Sequence, residues 1–336
     1  MATPRMRIRG AITVLIASLL AASAARAELY QLAPDQDLIG HPGQTIAEHE
    51  DTLPEIARRY HLGFDEISIA NPGVDIWLPG AGTTVRLPMQ HLLPNVPRTA
   101  IVVNLPDNRL YFFHEDSHHE PVVEDYPISI GQMDWKSPIG VTKIVRKEKD
   151  PTWYPPKSVR DKHLQDGDIL PESIPPGPNN PLGAYAMRLG IPSGAYLIHG
   201  TNLPVGVGMQ ITHGCIRLYP EDIETLFGKV PVGMEVRLVN QRIKTGWVDG
   251  ALYLEVHHPL EAGDPKDVED LTGLTRAIVA ATANRRVIVD WDTAERVFNE
   301  ARGEPTRISI DRWIGPAQAA QPKSAARSSP YAASSP

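Results

Sequence analysis

The chain carries one cysteine, Cys215, and its neighbours are of the kinds that make a thiol react. It stands in Thr212-His213-Gly214-Cys215-Ile216-Arg217-Leu218, and a second histidine lies a short way upstream in Ile198-His199-Gly200-Thr201, with Gly206 and Gly208 in the connection. An ordinary thiol is only about a few per cent ionised at neutral pH unless a cation stands beside it. An imidazole supplies that charge. The same ring can hand the proton back to a leaving amine, which scission of an amide requires. Gly214 lets the backbone turn sharply and leaves room for a carbonyl, so the amides of Gly214 and Cys215 can face a developing oxyanion. In acyl transfer each such donor contributes roughly 2.7–4 kcal/mol. The predicted chemistry is covalent acyl transfer through a cysteine.

Competing readings are weaker. A solitary cysteine is commonly a small buried hydrophobe, but an inert thiol gives no reason for His and Gly at these spacings. His199, His213 and Cys215 could supply three zinc ligands, yet a His-x-Cys pair inside a glycine turn matches no common zinc spacing, and no metal or organic cofactor is required. The pairs His118-His119 and His257-His258 would point to opposite faces of a strand and read as surface residues. Trp135, Trp153, Tyr154 and Tyr185 are either walls of a substrate groove or ordinary packing. Arg217 could meet a substrate carboxylate, whereas Arg188 reads as surface.

The elements that must position these residues are mainly β. Ala100–Leu105 and Arg109–Phe113 predict a hairpin turning at Pro106-Asp107-Asn108, and further strands are expected at Tyr126–Ile130, Val141–Arg146, Ala195–His199 and Met234–Val239. Pro220-Glu221-Asp222 opens a helix that would brace the cysteine loop. Between Asp150 and Leu182 a Pro-rich stretch is too irregular for a central strand or helix, and a loop of that length is typically a lid or binding segment.

Upstream, Asp51–Tyr60 reads as a helix with Thr52 and Glu55 forming a capping box. A second helix over Phe64–Ala70 ends at Asn71-Pro72-Gly73, and Thr84–Pro88 alternates as a closing strand. Beyond Val239, Tyr253–Val256 predicts a strand and Asp292–Ala301 a helix. With 336 residues, 42% hydrophobic and 22% charged, the chain can hold two or three domains; its net charge of -7, without a basic stripe, argues against nucleic acid as partner. Arg5, Arg7 and Arg9 before the apolar run Ala11–Ala25, followed by Ala25-Arg26-Ala27, read as a cleaved export signal. The expected organisation is 1–27 signal peptide, 45–88 an N-terminal module, 98–239 the site-bearing domain, 240–314 an α/β extension and 315–336 a disordered tail.

Two family resemblances rest on these residues. Asp51-Thr52-Leu53, Ile56-Ala57 and Asn71-Pro72-Gly73 resemble a LysM module, a small α+β unit that binds cell-wall glycan; Glu50 stands where that family usually has glycine. His199-Gly200-Thr201, Thr212-His213-Gly214-Cys215 and Ser137-Pro138-Ile139-Gly140 resemble the L,D-transpeptidases with a YkuD catalytic domain, over Arg98 to Val239. Arg217 is similar to the variant found in Gram-negative periplasmic members with an N-terminal LysM, which implies a periplasmic location.

The resemblance implies a β-rich catalytic domain that attacks peptidoglycan tetrapeptide stems, releases D-alanine and passes the acyl group to an amine. That amine would be diaminopimelate of another stem or a lysine of an outer-membrane lipoprotein. Position by position it makes Cys215 the nucleophile, His199 the general acid/base and His213 a supporting group, with Gly214 in the oxyanion pocket. Gly200, Thr201, Thr212 and Arg217 fall on the substrate side. Water as acceptor would give an L,D-carboxypeptidase or a stem-lipoprotein hydrolase, and a non-catalytic wall-binding protein is the remaining alternative.

Overall fold

The computed structural model describes residues 28–132, 137–192, 196–260 and 270–310. The expected signal, the tail, Trp135 and the last four positions of the extension lie outside them.

The N-terminal part holds β1 (Leu29–Gln31), β2 (Leu38–Gly40), β3 (Gly43–Ile46), α1 (Leu53–Arg59), α2 (Phe64–Ala70), β4 (Thr84–Leu87) and β5 (Gln90–Leu92). Thr52 caps α1 and its capping box with Glu55 is complete, which satisfies amides that the first helical turn leaves without internal partners. β3 and β4 pair antiparallel around the two helices, and Leu53, Ile56, Ala57, Leu62, Ile67, Val85 and Leu87 form their own core. The strand-helix-helix-strand order follows from apolar residues at helical spacing between two short alternating runs.

The large sheet follows: β6 (Ala100–Asn104), β7 (Arg109–Glu115), β8 (Pro121–Pro127), β9 (Ile130–Gly131), β10 (Gly140–Lys149), α3 (Lys157–Gln165), β11 (Tyr185–Leu189), β12 (Leu197–His199), β13 (Gln210–Thr212), β14 (Ile216–Arg217), α4 (Pro220–Lys229) and β15 (Glu235–Val239). Nine strands join in the order β1-β8-β7-β6-β15-β10-β11-β12-β14, while β13 pairs with β9 beside them. One face buries Ile101, Val103, Phe112, Ile144, Met187, Ile198 and Ile216 against Ile223 and Leu226 of α4. On the other face Val102, Tyr111, Phe113 and Val123 pack under Ile39 and Leu93.

Two expectations are corrected here. The strand expected at Tyr126–Ile130 begins instead at Pro121. Its centre is Glu124-Asp125, charged residues that lie buried in ion pairs with distant partners, and that hid the strand from an apolar pattern. The Pro-rich stretch contains a helix, α3, which begins directly after Pro155-Pro156 and buries only Val159, so it carries too weak an apolar stripe to be read from sequence.

The extension comprises β16 (Ile243–Val248), β17 (Ala251–Val256), α5 (Leu271–Thr282), β18 (Ile288–Val289), α6 (Trp291–Glu300), β19 (Thr306–Arg307) and β20 (Ser309–Ile310). A separate core of Leu252, Leu254, Val256, Leu274, Ile278 and Val297 holds it. It is fastened to the large sheet by a buried charge centre. Lys244 Nζ lies 2.8 Å from Asp107 Oδ2 and 2.6 Å from Glu255 Oε1, all three side chains being inaccessible to solvent. His257 Nε2 completes the centre at 2.6 Å from Glu255. His257 is therefore not the surface residue expected of it, because Glu255, near the end of β17, holds its ring from two positions earlier.

Candidate active site

Strands β12 and β14 run parallel and adjacent, with Ile198 opposite Ile216 and His199 opposite Arg217. Cys215 precedes β14 by one residue, so continuing the register places it opposite Leu197. The backbone of Leu197 does hydrogen-bond the Cys215 thiol. Side chains two apart on a strand share a face, which gathers Leu197, His199, Cys215 and Arg217 on one side. Leu218 N donates to His199 O at 2.9 Å and extends the pairing past the site.

The ring of His199 is buried, 5% exposed, and its Nδ1 lies 2.6 Å from the carbonyl oxygen of Gly200. A carbonyl only accepts, so Nδ1 carries the proton and the lone pair of a neutral ring falls on Nε2. The carbonyl of Leu182 is a second backbone acceptor at the ring. Burial, seconded by the positive Arg217, nevertheless pushes the His199 pKa down to about 3. Burial pushes the Cys215 thiol up, against the Leu197 contact and the Arg217 charge, which draw it down. Both shifts favour the neutral forms, whereas the sequence pointed to a histidine that ionises the thiol.

The cysteine turn is held from three sides. Gly214 sits at φ 94, a left-handed conformation that costs a side-chain-bearing residue and not glycine. Thr212 Oγ1 donates to Cys215 O at 2.6 Å. Ser137 Oγ accepts from Gly131 N at 2.9 Å and donates to Gly214 O at 3.2 Å, tying the Ser-Pro-x-Gly segment to the turn. Cys215 as a residue is intermediate in exposure, while its sulfur lies buried enough for desolvation to dominate its titration.

The remaining candidates divide by burial. Thr201 and Thr212 are 4% and 2% exposed, and their hydroxyls bond the backbone at Leu203 N and Cys215 O, so they brace the loops rather than face a ligand. Gly200 leaves little room for a methyl, which would stand 3.0 Å from the Ile223 side chain. His213 is half-buried, its pKa lowered by burial and by the nearby charges of His163 in α3 and Arg217. Arg188 is exposed, as expected, and Tyr154 is 71% exposed. Tyr185 packs against Phe227 and hydrogen-bonds Glu224.

Sequence reasoning missed the residue that folds the Pro-rich segment. Asn180, fully buried, donates to the carbonyls of Pro151, Ile174 and Pro175 at 2.8, 3.2 and 3.2 Å, and accepts from Leu182 N at 2.9 Å. It thereby fixes Leu182, whose carbonyl reaches His199. A backbone acceptor leaves no trace in residue types, though an amide amid prolines is a signal of a loop anchor. One group of possible metal ligands occurs among the described residues, Asp107, Glu255 and His257, and the Lys244 ammonium already fills it.

The register thus brings His199 and Cys215 to one face of adjoining parallel strands, and comparison with known proteins identifies the family. Residues 98–238 match the family model for the YkuD L,D-transpeptidase catalytic domain. The chain is 35% identical to the probable L,D-transpeptidase YbiS of Escherichia coli strain K12, across 85% of this chain and 94% of that protein. It is 39% identical to the probable L,D-transpeptidase YcfS of the same strain, across 84% and 89%. With the probable L,D-transpeptidase ErfK/SrfK it shares 36%, across 87% and 94%. The chain belongs to the L,D-transpeptidase family.

Proposed function

We propose that the protein is a periplasmic L,D-transpeptidase that works on peptidoglycan tetrapeptide stems through an acyl-enzyme at Cys215. The observation that carries this reading is the register of β12 and β14, which sets Cys215 and His199 on one face with the proton of the ring committed to Gly200. As Cys215 Sγ attacks the carbonyl of the stem amide, His199 Nε2 takes the thiol proton. The backbone carbonyls of Gly200 and Leu182 then stabilise the imidazolium, and the amides of Gly214 and Cys215 receive the oxyanion. Collapse breaks the C–N bond, the imidazolium protonates the departing amine of D-alanine, and a thioester remains on Cys215. An acceptor amine attacks the thioester, loses its proton to His199, and restores the thiol.

Arg217 is a fixed cation beside both partners, favouring the thiolate that forms during attack. The acceptor is diaminopimelate of a second stem or a lysine of an outer-membrane lipoprotein, and the N-terminal α1–α2 module holds wall glycan. The test is incubation with tetrapeptide muropeptides, with and without an acceptor amine, and mass spectrometry of products and protein. A stem adduct on Cys215, with D-alanine released and amine-dependent product, is the expected result. Release of D-alanine without amine incorporation would replace transfer with hydrolysis, and activity surviving Cys215→Ala would remove the mechanism.

A further inference from the structure

The segment joining the two motifs, from Leu203 to Gly208, is clasped between the active site and the N-terminal module. On its inner side a short 3-10 turn, Pro204–Gly206, lies against Arg217: a methyl built on Gly206 would stand 3.8 Å from Arg217 Nη1. Ser129 Oγ donates to Gly206 O at 2.7 Å, and Ser129 exchanges backbone hydrogen bonds with Arg217 at 2.8 and 3.0 Å. On its outer side the segment meets the start of α2. Phe64 N donates to Val207 O at 2.8 Å and Asp65 N to Gly208 O at 3.4 Å, so the first amides of that helix, which have no partners within it, are satisfied by the loop of another module. Gly63 and Gly208 touch backbone to backbone.

Further contacts fix the module to α4, the helix that begins just past Cys215. Arg58 forms a two-pronged ion pair with Glu221 at 2.8 and 2.8 Å, Tyr219 OH donates to Leu62 O at 3.0 Å, and His61 Nδ1 lies 3.3 Å from Asp222 Oδ1. A tether whose task is only to hold the protein near its substrate has no need to place backbone amides on the loop between base and nucleophile.

We propose that the N-terminal module is a supporting part of the active site: by clasping Val207 and Gly208 it fixes the 203–208 turn against Arg217, with Gly63 as the positioning residue. The inference rests on the transpeptidase reading and assigns the module a role in chemistry that is independent of any glycan it holds.

Gly63 offers a clean test. Its φ of -87 is open to any residue, so alanine or serine leaves the module's own backbone unstrained, and serine preserves helix capping. The added methyl carbon would stand 2.8 Å from Gly208 Cα, a backbone atom that must give way. In the full chain, Gly63→Ala and Gly63→Ser are expected to lower kcat about tenfold on a stem tetrapeptide without sugar, with KM nearly unchanged, since small displacements of reacting groups cost rate steeply. Amide exchange across 203–209 should quicken in both.

Unchanged kcat in both variants, or lowered kcat with unchanged exchange, overturns the proposal. Should the wild-type chain accept no stem, the transpeptidase reading falls by itself. The rate of iodoacetamide labelling at Cys215 in the same variants then decides this one, equal rates overturning it. If both Gly63 variants misfold, Arg58→Glu and the reversed pair Arg58→Glu/Glu221→Arg replace them. Loss in the first and recovery in the second is expected, and no recovery counts against the clasp.

Discussion

His199 and Arg217 face each other across the parallel register of β12 and β14, so a permanent positive charge stands beside the imidazole. The arrangement works against protonation of the resting ring and in favour of a thiolate on the same strand pair.

The pH dependence of thiol labelling follows from those directions. Burial raises the Cys215 thiol above the ordinary cysteine range, and the His199 ring, at about 3, stays neutral through the neutral region. Iodoacetamide labelling of the enzyme should climb only at alkaline pH, above the ordinary thiol range. A plateau of fast labelling between pH 5 and 7 would mean an ion pair at rest and contradict the neutral pair.

Removing the base should cost chemistry and little else. His199→Ala is expected to slow stem acylation by about 100- to 10,000-fold, the usual worth of a positioned acid/base. Quench-flow mass spectrometry of the adduct measures it. Loss of KM alone would place His199 in binding.

The serine under the cysteine turn should matter more than its distance in sequence from the motif suggests. Ser137→Ala breaks the link from Gly131 N to Gly214 O and is expected to lower stability by about 1 kcal/mol and acylation by about tenfold. Denaturant unfolding and adduct kinetics on one preparation separate the two, and wild-type kinetics would exclude a role for this link.

Lys244→Met should be far more damaging to the fold than any change at the site. It strands Asp107 and Glu255, both fully buried, and breaking one partner of such a set costs about 3–5 kcal/mol. Urea unfolding followed by intrinsic fluorescence would show it; a loss below about 1 kcal/mol would mean that the carboxylates find other partners or protonate freely.

What could be read from residue order was whatever is encoded locally. The Thr52–Glu55 capping box, α2 ending before Asn71-Pro72-Gly73, and the proline start of α4 are each settled within a few positions. The His-Gly-Thr and Thr-His-Gly-Cys motifs belong to this class too. What stayed hidden depends on partners far along the chain. Arg109, almost wholly buried, meets Asp125 and also Glu66 of α2. Glu124 meets Lys229 of α4. A pattern of apolar residues registers neither, and the carbonyl of Leu182 has no side chain by which to announce itself.

His199 and Cys215 ride at neighbouring ribbons laced together by parallel hydrogen bonds, with only a short excursion of chain between them. Sequence change at the rim that spares this lacing leaves the two side chains on their common face.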